Sequence, residues 1–251
     1  FRWVDCLLGI LEDCLTPESM RDALKELPKD LDSVYARTLD LIPEKQKELI
    51  QRAMHWLAFS AEPLTLGQLA EAVVIKYDVN EYGDDFGAIL DMNCLMDACP
   101  SLISFEDARG HKSSPQENRR LRLAHFSVKE YLISDRVAQG PSAFYHISED
   151  EANLLMGHAC LSRILRHSAQ GAICGNEVER TPFLYHSARY WFVHIRSIEV
   201  TAPAPLSKAA LKVLELGQGW LDIYNPDSLH RSLLDPGVYP PAIYYSSLLS
   251  L

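Results

Sequence analysis

The sequence predicts a mainly α protein that contains one short two-stranded β-hairpin. Apolar residues recur at spacings of three and four over most of the chain, the pattern of helices with one buried face. Two short stretches near the middle break this pattern, and a polar segment with glycine and proline separates them. Of the 251 residues, 47% are hydrophobic and 23% are charged, the ordinary composition of a globular protein.

The first 43 residues predict a helical arm. Its opening segment carries one apolar stripe at helical spacing, formed by Phe1, Val4, Leu8, Leu11 and Leu15. Thr16 and Pro17 have the residue types of an N-cap and a first helical position, and they open a short helix through Leu27. A second helix follows Pro28, with Tyr35 on its apolar face. Because the chain begins inside a helical stripe and without methionine, we expect it to be part of a longer protein.

Residues 44–138 predict a winged helix. Three helical stripes follow one another after Pro43, and Thr65 is the expected N-cap of the second. Two strands separated by a long polar loop come next. The predicted strands are Leu102–Phe105 and a return strand through Leu121 and Leu123. Three helices followed by a two-stranded wing is the order of elements in a winged helix.

His125 lies where the return strand gives way to a helix. From Ser127 the apolar spacing becomes helical. Ser127 has the residue type of an N-cap, and Glu130 three residues later would complete a capping box. The N–H groups at a helix start lack intrahelical partners and favour an anion. His125 is therefore a candidate either for donating a hydrogen bond to a phosphate oxygen or for capping the local backbone.

The remaining chain predicts a further α-helical region over residues 139–235. Helical stripes recur there on both sides of Pro182, and a linker with two prolines follows them. Residues 236–251 resemble the first helix of an ankyrin repeat. A single partial repeat cannot bury its own apolar face, so this segment would need following repeats.

The string His125–Leu132, HFSVKEYL, resembles the H-x-S-x-x-E-[YF]-L signature that closes the winged helix of NACHT-type signalling NTPases. These are proteins of the STAND, or NLR-like, class. The likeness is greatest to fungal NACHT proteins with ankyrin repeats, whose winged helix is also described as the GPI inositol-deacylase type. The F-x-W-V word of that family is similar to residues 1–4, and its L-P-x-x-L-x-x-x-Y word is similar to Leu27–Tyr35.

The resemblance implies a regulatory segment between a preceding NACHT domain and following ankyrin repeats, in an intracellular, cytoplasmic protein of signal transduction. In the family, the histidine matched by His125 contacts the β-phosphate of ADP and holds the closed, inactive state. ADP or ATP with Mg would bind in the longer protein, and this segment alone would hold no cofactor. Exchange for ATP would open the clamp and permit homo-oligomerisation and contacts with other protein partners.

No motif in the chain predicts catalysis, so we do not expect an enzyme. It lacks the G-x-x-x-x-G-K-[ST] loop that phosphoryl transfer requires and the G-x-S-x-G elbow of acyl transfer. Ser127 and His125 could be taken for a nucleophile and its base, but no third group is indicated. Cys94 and Cys99 with a histidine (His111 or His125) could be taken for a zinc site, but the spacing fits no common finger, and we expect no metal.

Charge argues against nucleic acid as a partner. The net charge is −10, and residues 62–107, which include the third predicted helix, contain ten acidic residues against one lysine. The predicted hairpin tip is basic, with Arg109, Lys112, Arg119, Arg120 and Arg122. No apolar run has the length of a membrane span, so no membrane contact is expected. Two alternatives stay open: a helical interaction scaffold with no nucleotide role and, less favoured, a DNA-binding winged helix.

Overall fold

The computed structural model describes residues 4, 11, 14–25, 30–75, 93–99, 101–106, 119–169, 182–198 and 203–216. Within them the chain is mainly α with a two-stranded antiparallel sheet, which confirms the predicted fold class. The helices are α1 (Pro17–Lys25), α2 (Leu31–Asp40), α3 (Lys47–Phe59), α4 (Leu66–Ala72), α5 (Asn93–Ala98), α6 (Phe126–Leu132), α7 (Asp135–Ala138), α8 (Glu149–Ala169), α9 (Pro182–Ser197) and α10 (Ala204–Glu215). Short 3-10 turns at Glu44–Gln46 and Ala143–Tyr145 precede α3 and follow α7.

Side-chain caps define several of the helix starts that the sequence predicts. Thr16 accepts a hydrogen bond from the N–H of Ser19, so α1 begins at Pro17 as expected. Thr65 caps α4 in a full capping box, because its hydroxyl accepts from the Gln68 N–H while the Gln68 side chain accepts from the Thr65 N–H. Such reciprocal caps satisfy two backbone donors that a helix start leaves unpaired.

The sheet consists of β1 (Ile103–Phe105) and β2 (Leu121–Leu123) in antiparallel register, with Ser104 opposite Arg122. Both predicted strands are therefore confirmed. The backbone before α4 lies along β2 as well, through an isolated antiparallel bridge between Thr65 and Arg120. This bridge places a third short segment alongside the two-stranded sheet, which the sequence did not indicate. Helix, bridge, helix, helix, strand and strand follow one another as in a winged helix.

Helix α2 packs into the same core as helices α3–α7 and the two-stranded sheet, which are the winged-helix elements of the predicted domain 44–138. Tyr35 and Leu39 are fully buried, and they belong to one cluster of buried apolar side chains that continues to Leu214 in α10. The predicted boundaries after residues 43 and 138 thus fall inside a continuous core, and the division into domains stays a prediction. Helix α1 differs from α2, since residues 16–22 are exposed.

Helices α8 and α9 pack closely against each other, and α9 also packs against α4. The side-chain amide of Gln68 in α4 donates to the carbonyl of Pro182 at 3.4 Å, and Glu71 lies 3.6 Å from the Arg163 guanidinium. The C-terminal helices are thereby joined to the winged-helix elements by polar as well as apolar contacts.

Several predicted features lie outside the described residues. They include most of the opening stripe, the residues around Phe86, the hairpin tip 110–118 and the ankyrin-like segment 236–251. Among the helices that are described, none combines the length and the apolar character needed to cross a membrane.

Candidate functional site

His125 occupies the junction between β2 and α6, as the sequence predicts, and it is the N-cap of α6. Its backbone is extended, with φ −157° and ψ 154°, and the helix begins at Phe126. The ring atom Nδ1 accepts a hydrogen bond from the Ser127 N–H at 3.3 Å. The side chain is partly exposed. His125 therefore performs the local capping that was one of its two predicted roles.

The predicted capping roles of Ser127 and Glu130 are wrong. Because α6 begins at Phe126, Ser127 is the second helical residue and Val128, not Glu130, is the third. Glu130 lies on the exposed side of the helix, one turn further along. Serine is a strong N-cap residue and histidine is not, so residue preference placed the helix start two residues too late.

The hydroxyl of Ser127 links His125 to the buried core instead of capping the helix. Its Oγ lies 2.7 Å from Nδ1 of His125 and 2.9 Å from the phenolic oxygen of Tyr35. Tyr35 is fully buried in α2, and its ring packs against that of Tyr131 at a centroid distance of 5.5 Å. The junction histidine is thus connected through two hydroxyl groups to the helix preceding the winged-helix elements.

The other ring nitrogen of His125 has no hydrogen-bond partner among the described residues. This Nε2 atom is not buried, unlike the Nε2 atoms of His55, His186 and His194. It is therefore the atom of His125 that solvent or a ligand can reach. Phe126 lies beside it, 67% exposed, with ring centroids 4.2 Å apart.

Two further α2 contacts fix the helix on the winged-helix elements. Thr38 and Ser101 pair through their hydroxyl groups at 3.1 Å, and Asp32 forms an ion pair with Arg136 of α7. Tyr35 and these partners were not singled out as site residues from the sequence. The sequence does show that Tyr35 places a hydroxyl group on an otherwise apolar helix face. Only the fold shows that this hydroxyl contacts Ser127.

The arginines at the base of the predicted hairpin tip have intramolecular contacts. The Arg120 guanidinium lies 2.7 Å from the Glu62 carboxylate, which also accepts from the Tyr190 hydroxyl. These two hydrogen bonds, chiefly that from Tyr190, hold the pKa of Glu62 below its ordinary value. The Arg119 guanidinium lies 3.8 Å from the centroid of the Phe105 ring. Arg122 is exposed.

The two cysteines considered for zinc, Cys94 and Cys99, both lie within the described residues. No group of three or more His, Cys, Asp or Glu side chains within the described ranges is placed to hold a metal ion. Cys99 is buried, and burial raises the pKa of its thiol to about 12. His111 lies outside the described residues. Cys99 therefore behaves as a small apolar core residue.

The protein is thus mainly helical with a small antiparallel sheet, and the partly exposed His125 lies between strand β2 and helix α6. A curated relative with which it aligns is azaphilone pigments biosynthesis cluster protein L of Monascus ruber. The two are 31% identical over 267 aligned positions, which cover 98% of this chain and 54% of the relative. The chain thus spans about half the length of that relative. No protein-family model matches the chain, and no solved structure matches it.

Proposed function

We propose that this chain is a non-catalytic regulatory segment of a NACHT–ankyrin signalling NTPase. In this proposal its winged helix closes on ADP bound by a preceding nucleotide-binding domain, and His125 contacts the β-phosphate. The ADP-bound form is closed and inactive, and nucleotide exchange releases it. Partner recognition would belong to the ankyrin repeats.

The observation that carries the proposal is that the two ring nitrogens of His125 have different environments. Nδ1 is engaged at the start of α6, while Nε2 is accessible and has no described partner. A histidine held in this way can present one N–H to an anionic oxygen with little loss of side-chain freedom on binding. The resemblance of residues 125–132 to the family signature indicates that this anionic oxygen belongs to the β-phosphate of ADP.

A contact made only in the closed state biases the conformational equilibrium by its full free energy. A hydrogen bond to a charged acceptor contributes on the order of 1.5–3 kcal/mol. Loss of the His125 contact would therefore shift the population roughly ten- to hundredfold toward the open form.

The decisive test is His125→Asn in the longer protein that includes the upstream nucleotide-binding domain. Asparagine is a preferred N-cap residue and keeps the helix start, so the substitution removes the imidazole without removing the cap. We expect ADP to dissociate at least tenfold faster and basal oligomerisation to rise. Thr65→Ala is the matched control, because it removes a helix cap elsewhere in the winged helix and should leave ADP release unchanged.

An unchanged ADP off-rate in His125→Asn would favour the second candidate, a helical interaction scaffold without a nucleotide role. The observation in its favour is that the role of His125 as a helix cap explains the hydrogen bond at Nδ1 without any ligand. The sequence preceding the chain distinguishes the two cheaply, since the switch requires a Walker A motif there and the scaffold does not.

DNA binding is a third class, and charge and contacts disfavour it. Helix α5 carries an acidic residue, Asp97, on its exposed side and contains no lysine or arginine. Arg120 is paired with Glu62. A salt-dependent mobility shift with duplex DNA, abolished by neutralising Arg119, Arg120 and Arg122, would support DNA binding against the proposal.

A further inference from the structure

We infer that Ser127 is a positioning residue that holds His125 in the tautomer with its proton on Nε2, and that Tyr35 orients Ser127. The inference rests on the proposed function for its consequence, because the Nε2–H would be the group offered to the phosphate. The tautomer itself is a property of this chain alone.

The direction of the hydrogen bonds follows from the donors at the junction. The Ser127 N–H can only donate, and the atom that it reaches is Nδ1 of His125 at 3.3 Å. Nδ1 therefore acts as an acceptor and carries no proton. The Ser127 hydroxyl, 2.7 Å from the same atom, then donates to Nδ1 as well. A neutral imidazole with an unprotonated Nδ1 has its proton on Nε2.

Tyr35, in the core, is the donor to the Ser127 hydroxyl oxygen in this arrangement. Its hydroxyl lies 2.9 Å from the Ser127 oxygen, and the residue is fully buried, so the phenolic proton needs a protein acceptor. With the Ser127 proton directed at His125, the Ser127 oxygen is free to accept from Tyr35. The opposite direction would leave both the Tyr35 proton and the Ser127 N–H without acceptors among the described residues. The arrangement that satisfies every donor is Tyr35 to Ser127 to His125.

The consequence for regulation is a connection between α2 and the candidate phosphate contact. Tyr35 belongs to the region preceding the winged-helix elements, and it reaches the histidine through one intervening hydroxyl group. A displacement of α2 from α6 would remove the group that orients Ser127. The orientation of the Nε2–H would then no longer be fixed.

The test measures the tautomer of His125 by nitrogen NMR of the complete 251-residue chain labelled at histidine, at a pH where the imidazole is neutral. The His125 signals are assigned with the His125→Asn variant. The expected result for the wild-type chain is a pyrrole-like Nε2 and a pyridine-like Nδ1. A wild-type His125 with its proton mainly on Nδ1 would overturn the inference.

The informative variant is the double substitution Tyr35→Phe with Ser127→Ala. Removing both hydroxyl groups avoids the buried, unpaired Tyr35 proton that Ser127→Ala alone would leave. We expect the ratio of the Nε2–H to the Nδ1–H tautomer to fall roughly fivefold, the effect of losing one hydrogen bond. Ser127→Thr keeps a hydroxyl and should retain the wild-type ratio.

Ser101→Ala is the matched control, because it removes a second hydroxyl pair between α2 and the winged-helix elements, at Thr38, and leaves the junction intact. A wild-type ratio in the folded double variant would contradict the role of Ser127. The readout needs no nucleotide, so it is separate from the proposed function. The expected tautomer together with an unchanged ADP off-rate in His125→Asn would retain the positioning role and reject the ADP contact.

Discussion

Lys129 shows at the scale of a single residue how the string His125–Leu132 joins two helices. Its ammonium group donates to the backbone carbonyl of Ala58 at 2.7 Å and lies 4.3 Å from the centroid of the Phe59 ring. Both partners are in the last turn of α3, where carbonyl groups lack intrahelical donors and a positive charge is favoured. Lys129 therefore caps the C-terminus of a helix that is distant in sequence.

Substitution Lys129→Met should lower the free energy of unfolding by about 1 kcal/mol. Methionine keeps the apolar stem but loses the hydrogen bond to Ala58, the charge at the helix end and the cation–π contact. Urea denaturation of the two chains measures the difference. Lys47→Met is the control, since the contact of Lys47 among the described residues is a surface ion pair with the exposed Glu44, and its loss should change stability by less than about 0.5 kcal/mol. Equal effects of the two substitutions would mean that the Ala58 contact is not stabilising.

Gly157 lies, at the scale of elements, where α8 approaches the Ile195 side chain of α9 closely. A Cβ atom at this position would lie 2.8 Å from Cδ1 of Ile195 and 3.7 Å from Cβ of His194. Glycine inside a helix costs about 1 kcal/mol relative to alanine, so its presence needs a packing reason. The close contact with α9 is that reason.

Substitution Gly157→Ala should not stabilise the protein, although alanine has the higher helix propensity by about 1 kcal/mol. Overpacking against the terminal methyl group of Ile195 should offset that gain, because such insertions typically cost about 1–3 kcal/mol. Ile195→Val shortens the opposing side chain, so the double variant should be less destabilised than the sum of the two single changes by about 1 kcal/mol. Thermal or urea unfolding of the four chains closes this cycle. Strict additivity would show that the methyl group does not meet Ile195.

Buried histidines join the winged-helix elements to the C-terminal helices at the scale of the whole molecule. The rings of His186 and His194 in α9 lie 5.9 and 6.2 Å from that of Trp56 in α3. Nδ1 of His194 donates to the side-chain oxygen of Asn153 in α8 at 2.9 Å. The Nε2 atoms of both histidines are buried without a hydrogen-bond partner. Both rings are therefore accommodated in the neutral form.

Burial lowers the pKa of His186 to about 4 and that of His194 to about 3, from an ordinary value of 6.5. Because the unfolded chain binds protons at a higher pH than the folded one, stability is complete above pH 6.5 and is lost as the pH falls from there toward the folded-state values. We expect the free energy of unfolding to decrease by roughly 3–4 kcal/mol between pH 7 and pH 5, which urea titrations at several pH values would measure.

His186→Phe tests the source of this dependence. Phenylalanine retains an aromatic ring beside Trp56 but binds no proton, so the slope of stability against pH should fall by about one proton. A slope that is flat for the wild-type chain between pH 7 and pH 5, or unchanged in the variant, would contradict the assignment.

Local patterns predicted several of the helices and both strands. The stripe through Val34, Tyr35 and Leu39 and the cap at Thr65 indicated the helices, and the structure confirms them. These features could be predicted because each depends on residues within one or two turns of each other. The position of His125 at a strand–helix junction could be predicted for the same reason.

Only the tertiary structure decided which atoms meet across the chain. Ser127 was expected to cap a helix because of its residue type, yet its hydroxyl bonds to Tyr35, which is 92 positions away in sequence. The bridge at Thr65 and the cap that Lys129 provides for α3 likewise join distant segments. Periodicity shows which face of an element is buried, but it carries no information about the partner on that face. That partner is set by how the elements pack together, and so the connection from α2 to His125 appeared only in the fold.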